Sequence, residues 1–396
     1  MFKKLFSRQS SKSISSAEYS ASSIANHHNK QDDNVEKTIH QMLINYQSEI
    51  FPDGIFPFCT ALNLNIKKDT IVINLTTPFP CQGEFELLAN SLTEALSIAV
   101  IFTLHLDVIA VRQHPIKNVK NIIAIASGKG GVGKSTTAVN LAYAIIAEGG
   151  KVGILDADIY GPSIPTMLGI KDQKPSSVDG KLMTPLNAYN LHAMSIGFLV
   201  PEDDATVWRG PMASKAFNQL LFETDWPEVD YLLIDMPPGT GDIQLTLAQK
   251  VPVAAAVIIT TPQDVALADA IKGIAMFEKV QVPVLGVVEN MSYHQCENCG
   301  HQSHLFGEGG GADIAHAYQT KLLGQFPLDI SIRQDADFGK SPIIENSTSE
   351  LTQLYRKIAR NVAGQLFLQL DRRSPQTAKI SLSDDNSIDS NHSDEQ

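Results

Sequence analysis

The sequence has little of what marks secreted, membrane-spanning or nucleic-acid-wrapping proteins. Only four of its 396 residues are cysteine, too few for the disulfide framework of a secreted domain. The formal net charge is -12, whereas proteins that wrap nucleic acid carry lysine and arginine in excess. No apolar run approaches the roughly 20 residues that span a bilayer, and no apolar stretch follows the basic N-terminus as it does in a signal peptide. We therefore predict a cytoplasmic protein that binds neither nucleic acid nor membrane.

The composition that remains is typical of a globular protein, with 43% hydrophobic and 19% charged residues. The two ends of the chain differ from the rest because they are rich in serine and other polar residues and have little to bury. The predicted division is a disordered tail (1–33), a small α+β domain (34–112), a linker (113–120), a larger domain (121–370) and a disordered acidic tail (371–396). Within the small domain, the predicted elements are strand Thr70–Leu75, helix Phe85–Ala95 and strand Ile98–Leu106.

The larger domain alternates short apolar strands with longer helical segments. This alternation predicts an α/β fold in which helices cover both faces of a mostly parallel sheet. Ligands bind such sheets at the carboxyl ends of the strands. The predicted strands are Ile122–Ala126, Lys151–Asp156, Tyr231–Asp235, Ala254–Thr260, Val284–Glu289 and Leu323–Phe326, and the predicted helices are Ser135–Glu148, Pro211–Phe222, Val265–Glu278 and Glu350–Leu370.

A glycine-rich loop joins the first of these strands to the first of these helices, and its spacing satisfies the phosphate-binding P-loop pattern. Glycines let backbone N–H groups turn inward around phosphates, and the helix N-terminus adds a positive dipole end. We expect Lys134 to reach the β- and γ-phosphates and Ser135 to coordinate Mg²⁺. The predicted nucleotide-binding residues of this loop are Gly128, Lys129, Gly130, Gly131, Val132, Gly133, Lys134, Ser135 and Thr136. The sequence thus predicts an ATPase.

Three further polar residues follow predicted strands. Asp156 and Asp235 each end an apolar strand, which is the arrangement that places a carboxylate near Mg²⁺ and the attacking water. Capping of a helix or turn is the alternative for these aspartates and for Asp158. Asn290 follows strand Val284–Glu289, and its amide can both donate to and accept from an adenine edge. A turn residue would have the same spacing, and we also expect the loop at residues 326–329 to close over the base.

The remaining chemistry lies in Cys296 and Cys299, a Cys-x-x-Cys pair in a polar loop. Two thiolates do not complete a zinc site or a cubane cluster, each of which usually takes four ligands. His301 and His304 would complete a zinc-like site within one chain, whereas a symmetric dimer would bring two cysteine pairs together. A redox dithiol and a purely structural turn are the other possibilities.

Lys129-Gly-Gly-Val-Gly-Lys-Ser-Thr136 resembles the deviant Walker A motif of the MinD/ParA/nitrogenase-iron-protein class. The resemblance implies that Lys129 crosses a dimer interface to contact the phosphates bound by the partner. It also implies that Asp158 orients the hydrolytic water, that Asp156 helps to hold Mg²⁺ and that Asn290 contacts adenine. Lys129, Lys134, Asp158 and Asp235 are accordingly the predicted catalytic residues.

The full set of motifs resembles the Mrp/ApbC family of iron–sulfur cluster carrier ATPases over residues 115–370. Besides the phosphate loop and the cysteine pair, the set comprises Asp156–Ser163, Trp208–Met212, Asp235–Asp242, Glu289–Ser292 and Phe306–Gly311. The resemblance implies a homodimer in which Cys296 and Cys299 of both subunits bridge a [4Fe–4S] cluster. The cluster would come from the assembly machinery and pass to apo iron–sulfur proteins, with slow ATP hydrolysis regulating delivery.

Two other functions remain open at this stage. A positioning ATPase of the MinD/ParA kind would use the amphipathic helix Glu350–Leu370 on a membrane, although a helix packed on the core looks the same. A zinc-stabilised nucleotide switch would use the histidines beside the cysteines. Residues 71–80 resemble the small domain often fused to the carrier family, but the usual Asp-Pro-Glu stretch is missing from its start.

Overall fold

The computed structural model describes residues 30–67, 69–177, 180–200 and 210–369. The predicted tail 371–396, most of the predicted tail 1–33, and Trp208 and Arg209 lie outside these ranges. Residues 30–33, predicted to belong to the tail, form the start of the first helix. Within the described ranges, no helix combines the length and the apolar character needed to cross a membrane.

The small N-terminal region has the predicted α+β class and forms a three-stranded sheet with two helices, of which the sequence predicts two strands and one helix. Its elements are α1 (Lys30–Asn45), β1 (Thr60–Lys67), β2 (Thr70–Thr77), α2 (Gln82–Leu96) and β3 (Ala99–Leu106). The middle strand β2 runs antiparallel to β1 and parallel to β3, and α2 makes the crossover between the parallel pair. Every second residue of β2 is buried, which is the period of a sheet with one face on the core.

The larger region begins with the strand that precedes the phosphate loop. Its elements are β4 (Val119–Ala126), α3 (Lys134–Ala147), β5 (Val152–Asp156), α4 (Ile164–Met167), β6 (Leu186–Ala188), β7 (Leu191–Ser195), α5 (Gly210–Phe222), β8 (Val229–Asp235), α6 (Asp242–Lys250), β9 (Ala255–Thr260), α7 (Asp264–Lys279), β10 (Val284–Gln295), β11 (Gln302–Ser303), α8 (Gly310–Ala317), β12 (Lys321–Pro327), α9 (Ile330–Asp337), α10 (Pro342–Glu345) and α11 (Glu350–Leu368).

Nine strands of the described chain form one sheet in this region. Eight follow the order β6, β7, β5, β8, β4, β9, β10 and β12, and β11 pairs with the far end of β10. Only the pairings of β6 and β11 are antiparallel. Every residue of β5, β8 and β9 is buried, as expected for parallel strands covered on both faces. The predicted α/β fold is therefore confirmed.

Besides containing elements that the sequence does not predict, such as β6, β7, α6, α8 and α9, the structure departs from the predicted elements in the length of β10. The sequence predicts that this strand ends at Glu289, with Asn290 beyond it, whereas β10 continues through Asn290 to Gln295. Met291 has φ 58°, and the register against β12 shifts between Glu289 and Tyr293. The strand therefore bends at an irregularity and then continues with polar residues, which have no apolar pattern for sequence reasoning to detect.

The two regions share one hydrophobic core, and a buried carboxylate joins them. Glu148, which follows α3, accepts hydrogen bonds from the backbone N–H of Gly83 at 2.7 Å, Arg356 Nε at 2.7 Å and Arg360 Nη1 at 2.9 Å. A Cβ at Gly83 would lie 2.2 Å from Arg360 Nη1 and 2.9 Å from Glu148 Oε1, so a larger residue here would have to displace the buried network. The network connects α2, α11 and the C-terminal end of the phosphate-loop helix.

Candidate functional site

The phosphate loop lies between β4 and α3, at the carboxyl edge of the sheet, as predicted. Gly131 and Gly133 have φ 83° and 79°, a left-handed conformation that only glycine adopts without strain. Gly128 lies so close to α7 that a Cβ there would be 2.1 Å from the backbone oxygen of Asp269. The Ser127 hydroxyl donates to the carbonyl of Lys129 at 2.9 Å. These contacts fix the start of the loop before α3 begins.

Lys134, the first residue of α3, is buried, and its ammonium lies 2.5 Å from Asp235 Oδ1. It also donates to the hydroxyl of Ser135 at 3.2 Å. A buried charge is tolerated when an opposite charge and hydrogen bonds compensate it. The structure thus brings together three residues that the sequence assigns to phosphate and Mg²⁺ chemistry. A phosphate in the loop would compete with Asp235 for the Lys134 ammonium.

Asp156 and Asp235 lie directly opposite each other in the β5–β8 pairing, and both are fully buried. Burial raises the pKa of Asp156 to about 7; the neighbouring charge of Asp235 adds to the shift and Lys134 opposes it. Asp156 Oδ2 accepts from the hydroxyl of Ser195 at 3.0 Å. Sequence reasoning missed Ser195 because its partner Asp156 is distant in the chain, although a serine at the end of a sheet strand is a usable signal.

The carboxyl pair fits Mg²⁺, which prefers oxygen ligands. Asp235 Oδ2 is buried and has no hydrogen-bond partner, and a buried polar atom normally has one. A cation beside this oxygen, with the Ser135 hydroxyl close by, would satisfy it and stabilise the ionised form of both carboxylates. Asp156, Asp235 and Ser135 are therefore the residues that would hold Mg²⁺, and this ligand set stays a prediction.

The two remaining predicted catalytic residues are more accessible. Asp158 is partly buried, its backbone N–H donates to Asp156 Oδ1 at 3.1 Å, and burial raises the pKa of its carboxyl. Lys129 lies on the exposed part of the loop. Its exposure leaves it free to reach another molecule, but the role across a dimer interface stays a prediction.

Asn290 packs against the phosphate loop. Its Nδ2 donates to the carbonyl of Val132 at 2.9 Å, and its side chain is buried. A Cβ at Gly133 would lie 2.2 Å from the same nitrogen. Asn290 therefore lies beside the phosphate loop, with its amide donor on the loop backbone. Contact of Asn290 with adenine stays a prediction.

The residues around Asn290 explain two of the motifs found in the sequence. The buried carboxylate of Glu289 accepts from the backbone N–H of Gly311 at 2.6 Å and from Gln325 Nε2 at 2.8 Å, and it also bonds the hydroxyl of Ser292. A Cβ at Gly311 would lie 2.9 Å from Glu289 Oε2. The Glu289–Ser292 and Phe306–Gly311 motifs thus form one structural joint between β10 and α8.

Beyond this joint, residues 293–303 form a hairpin, which we call the cysteine arm. Its two strands pair at His294 with Ser303 and at Gln295 with Gln302. The turn is closed by hydrogen bonds from the N–H of Cys296 to the carbonyl of His301 at 2.9 Å and from the N–H of Gly300 to the carbonyl of Cys296 at 2.8 Å.

Both thiols of the arm face outward. Cys296 is partly exposed and Cys299 is exposed. Backbone N–H groups of Cys299 and Asn298 bond the Cys296 sulfur and lower the pKa of its thiol. This favours the thiolate, which is the form that binds metals. Cys59 and Cys81 are buried in the core, as predicted.

The histidines near the arm do not complete a metal site with the cysteines. His304 Nδ1 is 3.1 Å from the carbonyl of Ser292, and its Nε2 is 3.8 Å from Glu308 Oε1. His301 is exposed. In the described part of the chain, no three residues among His, Cys, Asp and Glu come together as metal ligands. The histidine-completed set is therefore not assembled within the described chain, and completion of the cysteine site by a second chain stays a prediction.

The loop at residues 326–329, predicted to close over the base, is held against the cysteine arm. β12 ends at Pro327, which pairs with Tyr293, and the N–H of Leu328 donates to the carbonyl of Tyr293 at 2.7 Å. This segment and the start of α11 line a cleft of about 190 Å³ beside the arm. Closure over adenine stays a prediction, but the backbone pairing explains the position of the loop.

Comparison with known proteins identifies the class. A family model described as ParA, a NUBPL iron-transfer P-loop NTPase, matches residues 118–363. An Escherichia coli K12 protein named iron-sulfur cluster carrier protein is 57% identical over 336 residues, which cover 83% of this chain and 91% of the relative. A mouse protein named iron-sulfur cluster transfer protein NUBPL is 48% identical over 257 residues, which cover 64% and 80%.

Among solved structures, a nucleotide-binding protein from Archaeoglobus fulgidus in complex with ADP matches with a TM-score of 0.53 and 37% identity. The match covers 60% of this chain and 93% of that one. The matched residues 118–363 contain the phosphate loop and the strands that carry the candidate site. The family model therefore agrees with the observed fold.

Proposed function

Because the chain belongs to the ParA family of NUBPL-type iron-transfer P-loop NTPases, we propose that it carries an iron–sulfur cluster and passes it to apo target proteins. The relatives named as carriers and transfer proteins match it over most of its length. The cluster is cargo here, and the recipients are apo iron–sulfur proteins in the cytoplasm. The donors are the proteins that assemble clusters.

The observation that carries this proposal is the arrangement of the two arm cysteines. They lie at the exposed tip of one hairpin, and no third ligand accompanies them in the described chain. A [4Fe–4S] cluster usually takes four cysteine thiolates. Two copies related by a twofold axis supply four, because each copy contributes the same pair. We therefore propose a homodimer with a [4Fe–4S] cluster bridged by Cys296 and Cys299 of both subunits.

The exposure of the thiols supports transfer rather than permanent storage. A recipient's thiolates must approach the iron atoms while the carrier's thiolates leave, and a buried cluster would prevent that approach. The tip of a hairpin permits it. The lowered pKa of Cys296 favours the bound form, so release depends on competition by the recipient or on a change in the arm.

We further propose that ATP binding and slow hydrolysis regulate delivery. The loop backbone and Lys134 would bind the phosphates, and Lys129 would contact the phosphates held by the partner. Asp156, Asp235 and Ser135 would hold Mg²⁺, which supplies neutralisation of the charge that develops on the transferred phosphoryl group. Asp158 would orient the attacking water from its partly buried position.

Iron analysis of the purified protein tests the proposal. The full chain is prepared without oxygen, reconstituted with iron and sulfide, and assayed for iron, zinc and oligomeric state. We expect about four irons per dimer and loss of iron in Cys296→Ser and Cys299→Ser. His301→Ala is the matched control in the same hairpin, and it should retain the iron.

The alternatives give different results in the same assay. One zinc per chain that is lost in His301→Ala would replace the proposal with the zinc-stabilised switch. A protein without metal that sediments with liposomes in an ATP-dependent manner would replace it with a positioning ATPase.

A further inference from the structure

We propose that Asn290 is the positioning residue through which the phosphate loop controls the cysteine arm. The inference rests on the proposed function for the identity of the cargo. The contact itself is independent of the cargo, because it links the loop to the strand that carries Cys296.

The contact is tight on both sides. Asn290 is 8% exposed, and its Nδ2 lies 2.9 Å from the Val132 carbonyl. At Gly133 a Cβ would come within 2.2 Å of that nitrogen, so the loop backbone and the amide touch without an intervening side chain. Protein interiors are closely packed, so one of two contacting groups cannot shift without displacing the other. A change in the loop at these residues must therefore move the Asn290 side chain or break its hydrogen bond.

The geometry of the peptide bond makes this contact sensitive to phosphate. The Val132 carbonyl and the Gly133 N–H belong to one planar peptide unit and point in opposite directions. The N–H groups of such a loop are the donors that bind phosphate. Binding at the Gly133 N–H would fix and polarise the Val132 carbonyl, which strengthens the hydrogen bond from Asn290 on the other side.

The strand converts a local change at Asn290 into a movement of the arm. On one side, Glu289 is anchored to Gly311 and Gln325. On the other side, Met291 has the left-handed φ of 58°, and the arm follows after it. Asn290 thus lies between the anchored Glu289 and the bend at Met291. A small rotation of the backbone here would change the direction of the cysteine arm. Cys296 is six residues further along.

Thiol labelling in the cluster-free full chain tests this coupling. The rates at which a maleimide reagent labels Cys296 and Cys299 are measured without nucleotide and with saturating Mg-ATP. In the natural sequence we expect a change of about fivefold or more, the range of a typical coupling between two sites. In Asn290→Ala we expect the change to disappear at ATP concentrations that a separate binding measurement on the variant shows to be saturating.

The controls separate coupling from loss of structure. Asn187→Ala removes an exposed asparagine on β6 and should keep the full nucleotide effect. If Asn290→Ala fails to fold, Asn290→Leu decides, because it keeps the approximate shape of the side chain but has no donor for the Val132 carbonyl. Full nucleotide dependence in a folded Asn290 variant at saturating ATP would overturn the proposal, as would the absence of any nucleotide effect in the natural sequence.

The result also distinguishes this inference from the proposed function. Labelling needs no cluster, so a protein that binds no iron but shows nucleotide-dependent labelling would refute only the carrier proposal. A protein that binds iron but labels at the same rate with and without ATP would refute only the coupling. Weakened ATP affinity with unchanged coupling at saturation would assign Asn290 to the base and exclude it as the link.

Discussion

The nucleotide site draws its side chains from several buried strand ends, whereas the cysteine site takes both thiols from the exposed tip of one hairpin. Asp156 and Asp235 are fully buried, and Lys134 is nearly so. Cys296 is partly exposed and Cys299 is exposed. The difference fits the proposed functions, because phosphate chemistry needs charges fixed away from water, while transfer of a bound cluster would need access to it.

The two sites also differ in how many of the required groups one chain supplies. Within the described chain, the nucleotide site already contains the Lys134 ammonium, the two carboxylates and the phosphate loop. Asp235 Oδ2 is a buried atom of this site without a hydrogen-bond partner, and a ligand could bind it. The cysteine arm offers only two possible metal ligands within the described chain. Variants in the first should therefore alter turnover without affecting metal content, and the following predictions test that separation.

Lys134→Ala should have the largest effect. Removing the ammonium that serves the phosphates should lower ATP turnover by about 10²–10³-fold, while iron content stays the same. Phosphate release and iron per dimer are the measurements. The change also leaves the buried Asp235 without its partner, so thermal unfolding must confirm a folded protein. Loss of iron in a folded variant would contradict the separation of the two sites.

Lys129→Ala should slow turnover by about tenfold or more, as expected when one charge that acts only in the transition state is removed. ATP affinity and stability should stay unchanged because Lys129 is exposed. Equal turnover in the variant and the natural sequence would remove the role across the dimer interface. Lys174→Ala, at another exposed lysine of the same region, serves as the control for a general charge effect.

Gly133→Ala should weaken ATP binding by about tenfold, or roughly 1.4 kcal/mol. The substitution strains a residue with φ 79° and drives a methyl group into Asn290. Gly149→Ala is the matched control, since Gly149 has φ 100° but open space around its Cβ position. Both variants should lose stability from backbone strain, but only Gly133→Ala should lose ATP affinity. Equal affinities in the two would show that the contact with Asn290 is unimportant.

Ser195→Ala should have the smallest effect, a reduction in turnover of about three- to tenfold, which is the value of one hydrogen bond. The Ser195 hydroxyl donates to Asp156 Oδ2 and so holds that carboxylate in place. Steady-state kinetics with varied Mg²⁺ checks the prediction, and the apparent Mg²⁺ affinity should fall with the turnover. A change in turnover at unchanged Mg²⁺ affinity would contradict the assigned role.

Sequence reasoning predicted the features that depend on neighbours along the chain. The strand–loop–helix order around Lys134 is local, and so is the apolar run that ends at Asp235, and both were confirmed. The continuation of β10 past Glu289 was missed, because its residues are polar and pair with β11 and β12 rather than following an apolar pattern. Ser195 was missed because its partner Asp156 is 39 residues away.

By itself, the sequence determined the parallel sheet, the phosphate loop and the presence of a cysteine pair, since periodicity and short-range spacing express those directly. Only the tertiary structure decided that Asn290 touches Val132, 158 residues away in the chain, and that Glu148 joins both regions. It also decided that the histidines near the cysteines are not gathered with them as metal ligands. These outcomes depend on which strands become neighbours in the sheet, and that choice is made by packing of the whole core.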